Sequence, residues 1–186
     1  MFYYYLTVVE RKIKMEKNQY SYWDDAARAA VEYIDGRDHP SRMGTINKLR
    51  AIEDLLIDNF FSAEDAALET EQERVKNLWA ALGAEAFLLA KKQKIELSVD
   101  EVSKILVRKQ RDYGPENIKR FGRRGLIVRM HDKIARLENL TANNAVPNNE
   151  SIADNILDVI GYAAIGIMWE ESRFLLPLKP YALTTS

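Results

Sequence analysis

The chain has no cysteine, which excludes disulfides, thiolate zinc sites and a cysteine nucleophile and fits a reducing cytoplasm. It has almost no surplus of charge, with 27 basic and 28 acidic side chains, so it lacks the basic excess of a dedicated duplex-DNA binder. No apolar run approaches the length of a membrane span. The opening M-F-Y-Y-Y-L-T-V-V-E-R-K-I-K has neither a basic stretch ahead of its apolar residues nor a small-residue cleavage site, so it does not read as a signal peptide. Strand signal is confined to residues 2–9, and there is no internal repeat or low-complexity tract. These absences leave a cytoplasmic helical protein, one domain or one domain with an appendage, with enough apolar residues to bury a core.

The helical pattern begins at Ser21 or Asp24 as cap, runs through Val31 and Ile34, and stops at Gly36. A Gly- and Pro-punctuated loop over 36–44 precedes Thr45, the expected cap of a helix with Ile46, Leu49, Ile52, Leu56 and Phe60 at helical spacing. Ser62 and Asp65 resemble a capping box opening the longest pattern, which ends near Lys94. Gly83 inside it costs about 1 kcal/mol relative to Ala, so the pattern allows a break there without requiring one. Ser98 with Glu101 is a capping box for a helix to Tyr113, ended by Gly114-Pro115. A short helical turn follows through Ile118 and Phe121, then a cationic turn in which Gly122 and Gly125 bracket Arg123-Arg124. A helix over 126–140 and a polar loop come next. A last helix, capped by Asn148 or Asn149, continues to about Arg173, and the apolar tail beyond it is non-helical. The expected fold is all-α, a bundle of about five to seven helices with a short N-terminal strand or arm.

Two of these helices carry opposite charge. Ile127, Met130, Ile134 and Leu137 form the apolar stripe of one, and Arg129, Asp132, Lys133 and Arg136 share a neighbouring face. Alone, that face could be solvated and held by an Asp132–Arg136 pair worth roughly 0.3–0.5 kcal/mol. The last helix buries Ile152, Ile156, Val159, Ala163 and Ile167 and sets Glu150, Asp154 and Asp158 in an i, i+4, i+8 row continued by Tyr162. Like charges four apart destabilise a helix and Asp is a poor helix former, so the row points to a ligand, unless Glu150 simply favours the helix N-terminus and the aspartates meet basic residues on adjacent helices. Mg²⁺ takes carboxylate oxygens and substrate phosphates together, whereas Arg and Lys grip phosphate. A nucleotide is therefore the expected ligand. In the corner K-Q-R-D-Y-G, Lys109 can reach phosphate, and Asp112 and Tyr113 can line the base or substrate pocket, although Lys109 at a helix C-terminus also complements the dipole. Arg123 and Arg124 add to the cationic rim or simply solubilise the loop.

The run K-Q-R-D-Y-G, G-L-I-V-R-M-H-D-K-I-A-R-L-E-N-L, E-S-I-A-D-N-I-L-D-V-I-G-Y, roughly residues 98–170, resembles the phage and bacterial nucleotide-modification-associated domain family. More distantly it resembles the all-α nucleotide pyrophosphohydrolases of the MazG and dimeric dUTPase type. The resemblance implies a helical bundle, often a homo-oligomer, in phage nucleotide metabolism, and places the protein in the host cytoplasm. It also implies Mg²⁺-dependent (or Mn²⁺-dependent) cleavage of a nucleoside triphosphate to monophosphate and pyrophosphate. Carried onto this chain, it gives Asp132, Glu150, Asp154 and Asp158 as metal ligands, with Glu150 as general base and Asp154 beside it in the catalytic set. It gives Lys109, Arg129, Lys133 and Arg136 as phosphate contacts. MazG-type enzymes pair E-x-x-E with E-x-x-D; this chain has D-x-x-x-R and E-x-x-x-D-x-x-x-D instead. The implied partition is a MazG-like core over 98–175, an N-terminal helical extension or interface over 1–97, and a tail over 176–186.

Two other functions compete. The dipeptide His131-Asp132, with His39 and Asp158, could form an HD-type phosphohydrolase metal site, although two-residue matches are common by chance. Alternatively the chain is a non-catalytic nucleotide sensor or an accessory protein of a DNA-modification system, with Trp23, Trp79 and Tyr3–Tyr5 at an interface or in the core. Direct nucleic-acid binding and membrane association are not expected.

Overall fold

The structure, a computed structural model, describes residues 20–37, 45–61, 69–143 and 149–180. These residues form seven α-helices and no strand: α1 (Trp23–Asp35), α2 (Ile46–Phe61), α3 (Glu69–Lys92), α4 (Val99–Tyr113), α5 (Glu116–Lys119), α6 (Gly122–Ala142) and α7 (Ile152–Glu170). The described residues are thus an all-α bundle, as the periodicity implies. The expected strand at 2–9 and the Ser62–Asp65 box lie outside the described residues.

α7 is the central element, packing on α3 most extensively and also on α6, α1 and α4. Its composition explains this. Beyond the expected stripe it buries Ile160, Gly161, Ala164, Gly166 and Met168, so apolar surface nearly encircles it. It is long and apolar enough to cross a membrane, contrary to the expectation from the sequence, yet more than half of that stretch is buried inside the bundle. Small residues set its approach to α3. A Cβ on Gly83 would meet the Ile34 side chain at 2.9 Å and the Ala163 Cβ at 3.1 Å. The helix does not break at Gly83, because the missing side chain is where α1, α3 and α7 converge. Trp23 and Trp79 are wholly buried, and one core runs from Trp23 to Phe174, joining the N-terminal helices to the C-terminal ones.

The helix ends follow local chemistry. Ser98 and Glu101 make the expected capping box, and Gly114, at φ 64°, ends α4. The side chain of Thr45 accepts from the Lys48 N–H at 3.3 Å. α3 stops at Lys92 in a Schellman motif: Lys94 adopts φ 58°, its N–H donates to the Lys91 carbonyl, and the Ile95 N–H donates to the Ala90 carbonyl. α7 ends the same way at Glu170, short of the expected Arg173. Ser172 adopts φ 57°, and the Arg173 N–H donates to the Met168 carbonyl at 2.7 Å. The chain then turns back, setting the buried Phe174 against Trp169 with the rings tilted by 36°.

Three start sites differ from expectation. The N-cap of α1 is Tyr22, without a side-chain cap bond; Asp24 instead accepts from the Lys179 N–H and pairs with Arg111, fastening the tail. Arg123-Arg124 is not a turn but the first turn of α6, with Phe121 as N-cap. Gly122 takes φ 55°, where an added Cβ would press on Trp169 at 3.3 Å. α7 is capped by Ser151, not Asn149, because Ser151 with Asp154 three residues on forms a capping box. Glu150 therefore lies just ahead of the helix rather than on it.

That box yields a stability prediction. Hydrogen bonds from the Ser151 side chain and backbone hold the Asp154 carboxyl below its ordinary pKa. A carboxyl with a lowered folded pKa stabilises the fold above its unfolded pKa, and the contribution is lost as pH falls through the folded value. Ser151→Ala is expected to cost about 1 kcal/mol at neutral pH. The part owed to Asp154 should fade in acid, as read by urea denaturation at about pH 7 and about pH 2.5.

Candidate functional site

α4, α5, α6 and α7 enclose a cavity of about 400 Å³, closed at one side by Trp23 of α1. That volume lies in the range of small-molecule sites. α4 and α7 run in opposite directions here, since Lys109 meets Asp158 while Leu106 lies against Gly161. A Cβ on Gly161 would come within 2.9 Å of the Leu106 side chain, so this glycine lets the two helices close up.

The charged wall is built around Asp158. Its side chain is only 13% exposed, and each of its oxygens faces a lysine: Lys109 on Oδ1, and Lys133 on Oδ2 at 2.9 Å. Lys133 Nζ also donates to Glu150 Oε2 at 2.6 Å, so one ammonium bridges the carboxylate just ahead of α7 and the one within it. Burial lowers the Lys133 pKa, but the hydrogen bonds to Glu150 and Asp158 outweigh it and leave the group above its ordinary value. Lys133 is thus a permanent cation at physiological pH. Arg129, one turn before it on α6, also lines the cavity and donates to the Asn117 carbonyl at 3.4 Å. Arg136, one turn after, donates to the Glu150 backbone carbonyl at 3.1 Å and fixes the approach to α7. Asp158 and Glu150 therefore face Lys109 and Lys133, although the rest of the acidic row does not.

Seven residues singled out by spacing line this one cavity: Lys109, Tyr113, Arg129, Lys133, Glu150, Asp158 and Tyr162. Four others do not line it. Asp112 and Asp132 are exposed on the outer faces of their helices. Asp154 is exposed and commits Oδ2 to the Ser151 N–H and hydroxyl, although it still feels the charges of Lys109 and Lys133. Arg136 stands behind Glu150. Among the described residues, no three His, Asp or Glu side chains converge as a metal-ligand group. The donor set at the cavity is two carboxylates with the Lys133 ammonium between them, so a hard cation fits there only as phosphate draws Lys133 and Lys109 away. A four-carboxylate cage is not what these residues form.

The other candidates have structural duties. Arg123 donates to the buried Glu170 at 2.6 Å, and Arg124 donates to the Phe60 carbonyl, so neither is a cavity-rim cation. His131 lies on the α2 side of α6, its Nδ1 3.0 Å from both Glu53 Oε1 and Arg50 Nη1. Arg50 also pairs with Glu138, and burial raises the Glu53 pKa against the pull of Arg50 and His131. That network ties α2 to α6, whereas Asp158 is in the cavity; His39 lies outside the described residues.

The cavity also contains residues that spacing did not flag. Gln110 is only 8% exposed, and its side chain makes no hydrogen bond among the described residues. Its signal was present: Val102, Leu106 and Gln110 recur every four residues, so a polar amide occupies an apolar-stripe position. Asn117 and Trp23 carried no such signal, because only tertiary packing brings α5 and α1 to α4.

No protein-family model matches this chain, and no curated protein or solved structure matches it.

Proposed function

We propose that this cavity binds a nucleoside triphosphate and supports its Mg²⁺-dependent cleavage to monophosphate and pyrophosphate, in nucleotide metabolism. The observation that carries the reading is the charged wall: three cations, Lys109, Arg129 and Lys133, line one cavity with two carboxylates, Glu150 and Asp158. The resemblance of residues 98–170 to the nucleotide-modification-associated family supports the same reading. Mg²⁺, or Mn²⁺ in its place, would be held by Asp158 and Glu150, where it would neutralise phosphate charge and acidify a bound water.

The chain's own residues divide the remaining work. Lys109 and Lys133 take phosphate oxygens as point charges, and Arg129 offers a planar fork. These cations stabilise the negative charge that gathers on the leaving pyrophosphate. Glu150, the more exposed of the two carboxylates, accepts the proton of the attacking water. Tyr113 and Tyr162 supply aromatic walls.

The test is a hydrolysis screen across common NTPs and dNTPs with Mg²⁺ and product identification. Monophosphate with pyrophosphate is the expected result. Orthophosphate with diphosphate, or nucleoside with triphosphate, would overturn it. A second reading, a nucleotide sensor, is favoured by the lack of a third converging carboxylate among the described residues. It predicts metal-stimulated binding in the same samples without any product.

A further inference from the structure

We infer that Gln110 reads the nucleobase: its side-chain amide is the group through which this cavity distinguishes one base from another. This deepens the nucleotide reading and rests on it.

The argument starts from a misplaced polar group. α4 buries Val102, Leu106 and Gln110 along one stripe. Gln110 is more than nine-tenths buried as a residue, yet its amide oxygen and nitrogen are not among the buried unpaired atoms, so the part of it that stays accessible is the amide. Gln110 has no side-chain partner among the described residues, and it lines the cavity. Its capacity is therefore directed at whatever enters.

The surroundings specify the ligand's chemistry. Lys109, the preceding residue, pairs with Asp158, which puts the phosphate-binding wall on one flank of Gln110. Leu106, one turn back, provides an apolar floor against Gly161. Tyr113, three residues on, stands 69% exposed at the mouth, with a ring face free to cover a flat ligand. Across from them Asn117 lines the same cavity, and its side-chain carbonyl is buried without a partner among the described residues. An apolar floor, an aromatic face and unpaired amides beside a cationic wall suit a planar heterocycle with donors and acceptors on its edge, carried on a phosphate chain. A carboxamide presents a donor and an acceptor side by side, the geometry that pairs with a base edge.

The experiment measures dissociation constants by calorimetry, with Mg²⁺, for the four dNTPs, the matching NTPs and inorganic tripolyphosphate, in the parent protein, Gln110→Met and Gln110→Glu. Met keeps the length without the amide; Glu keeps the shape and removes the donor. Circular dichroism melts confirm that each variant is folded. The parent is expected to prefer one or two bases by about ten- to a hundredfold. Both variants should flatten or reorder that ranking, while tripolyphosphate affinity stays within about twofold of the parent in Gln110→Met and falls in Gln110→Glu, which adds a negative charge beside Lys109. An unchanged ranking in both folded variants overturns the inference. So does a parent that binds every base equally, or an effect confined to the NTP-to-dNTP ratio, which would assign Gln110 to the sugar. A parent that binds neither tripolyphosphate nor any nucleotide overturns the underlying nucleotide reading instead.

Discussion

Asp158→Asn should abolish Mg²⁺-dependent turnover, by at least about 100-fold, while raising the affinity for tripolyphosphate in the absence of metal. The two effects have opposite signs because Asp158 has two relations to the cavity. As a carboxylate it is the best-buried of the metal donors proposed here. As an anion facing Lys109 and Lys133, it competes with phosphate for the same two ammonium groups. Neutralising it removes the donor and releases the lysines together. The measurement is kcat with Mg²⁺ beside calorimetric titration of metal-free tripolyphosphate, with a thermal melt to verify folding. A fall in both quantities in a folded variant would remove Asp158 from this role. A parallel Asp154→Asn variant separates cap from ligand: lost stability with intact turnover assigns Asp154 to the Ser151 box alone, and loss of both returns it to the metal set.

Gly166→Ala should destabilise the bundle by about 1–3 kcal/mol, although the same change at an exposed helix position would stabilise it by up to about 1 kcal/mol. An added Cβ would fall 2.6 Å from Cε2 and 2.7 Å from Cγ of the Trp79 indole. Trp79 is wholly buried and stacks on Phe60, so the ring has no open direction in which to move. Relief requires α3 and α7 to separate along their main contact. Denaturant unfolding reads the outcome. A stabilised variant would mean that the α3–α7 seam yields freely and is not the rigid centre of the fold.

Much of this architecture was legible because it rests on local rules. Ser98 and Glu101 cap α4, Gly114 stops it, and Ile127, Met130, Ile134 and Leu137 are all buried as their spacing requires. The opposed charges of α6 and α7 were legible too, since both rows follow from helical periodicity. What escaped depends on other physics. Ser151 wins the cap of α7 over Asn149 because Asp154 closes a reciprocal box, and this moves Glu150 off the helix. The end of α3 near Lys94 was legible, but Ser172 adopts left-handed backbone without being glycine, so composition did not mark the end of α7. Gly83 counts against a helix when read locally, but its cost is offset where three helices meet. Trp23 reaches the cavity from a helix whose sequence carries no sign of it, and Gln110 occupies an apolar-stripe position inside an otherwise charged motif.

The position of α7 has a consequence for how the protein is made. The helix that joins α1, α3, α4 and α6 leaves the ribosome after all of them. Until it docks, Trp79 lacks the Gly166 side of its pocket and Gly83 lacks Ala163, and Lys109 and Lys133 have no Asp158 between them. Vectorial synthesis therefore cannot complete the core or the cavity in stages. Ribosome-bound chains ending before residue 152 should be clients of chaperones, and ligand competence arises in a single late step with the arrival of the final helix.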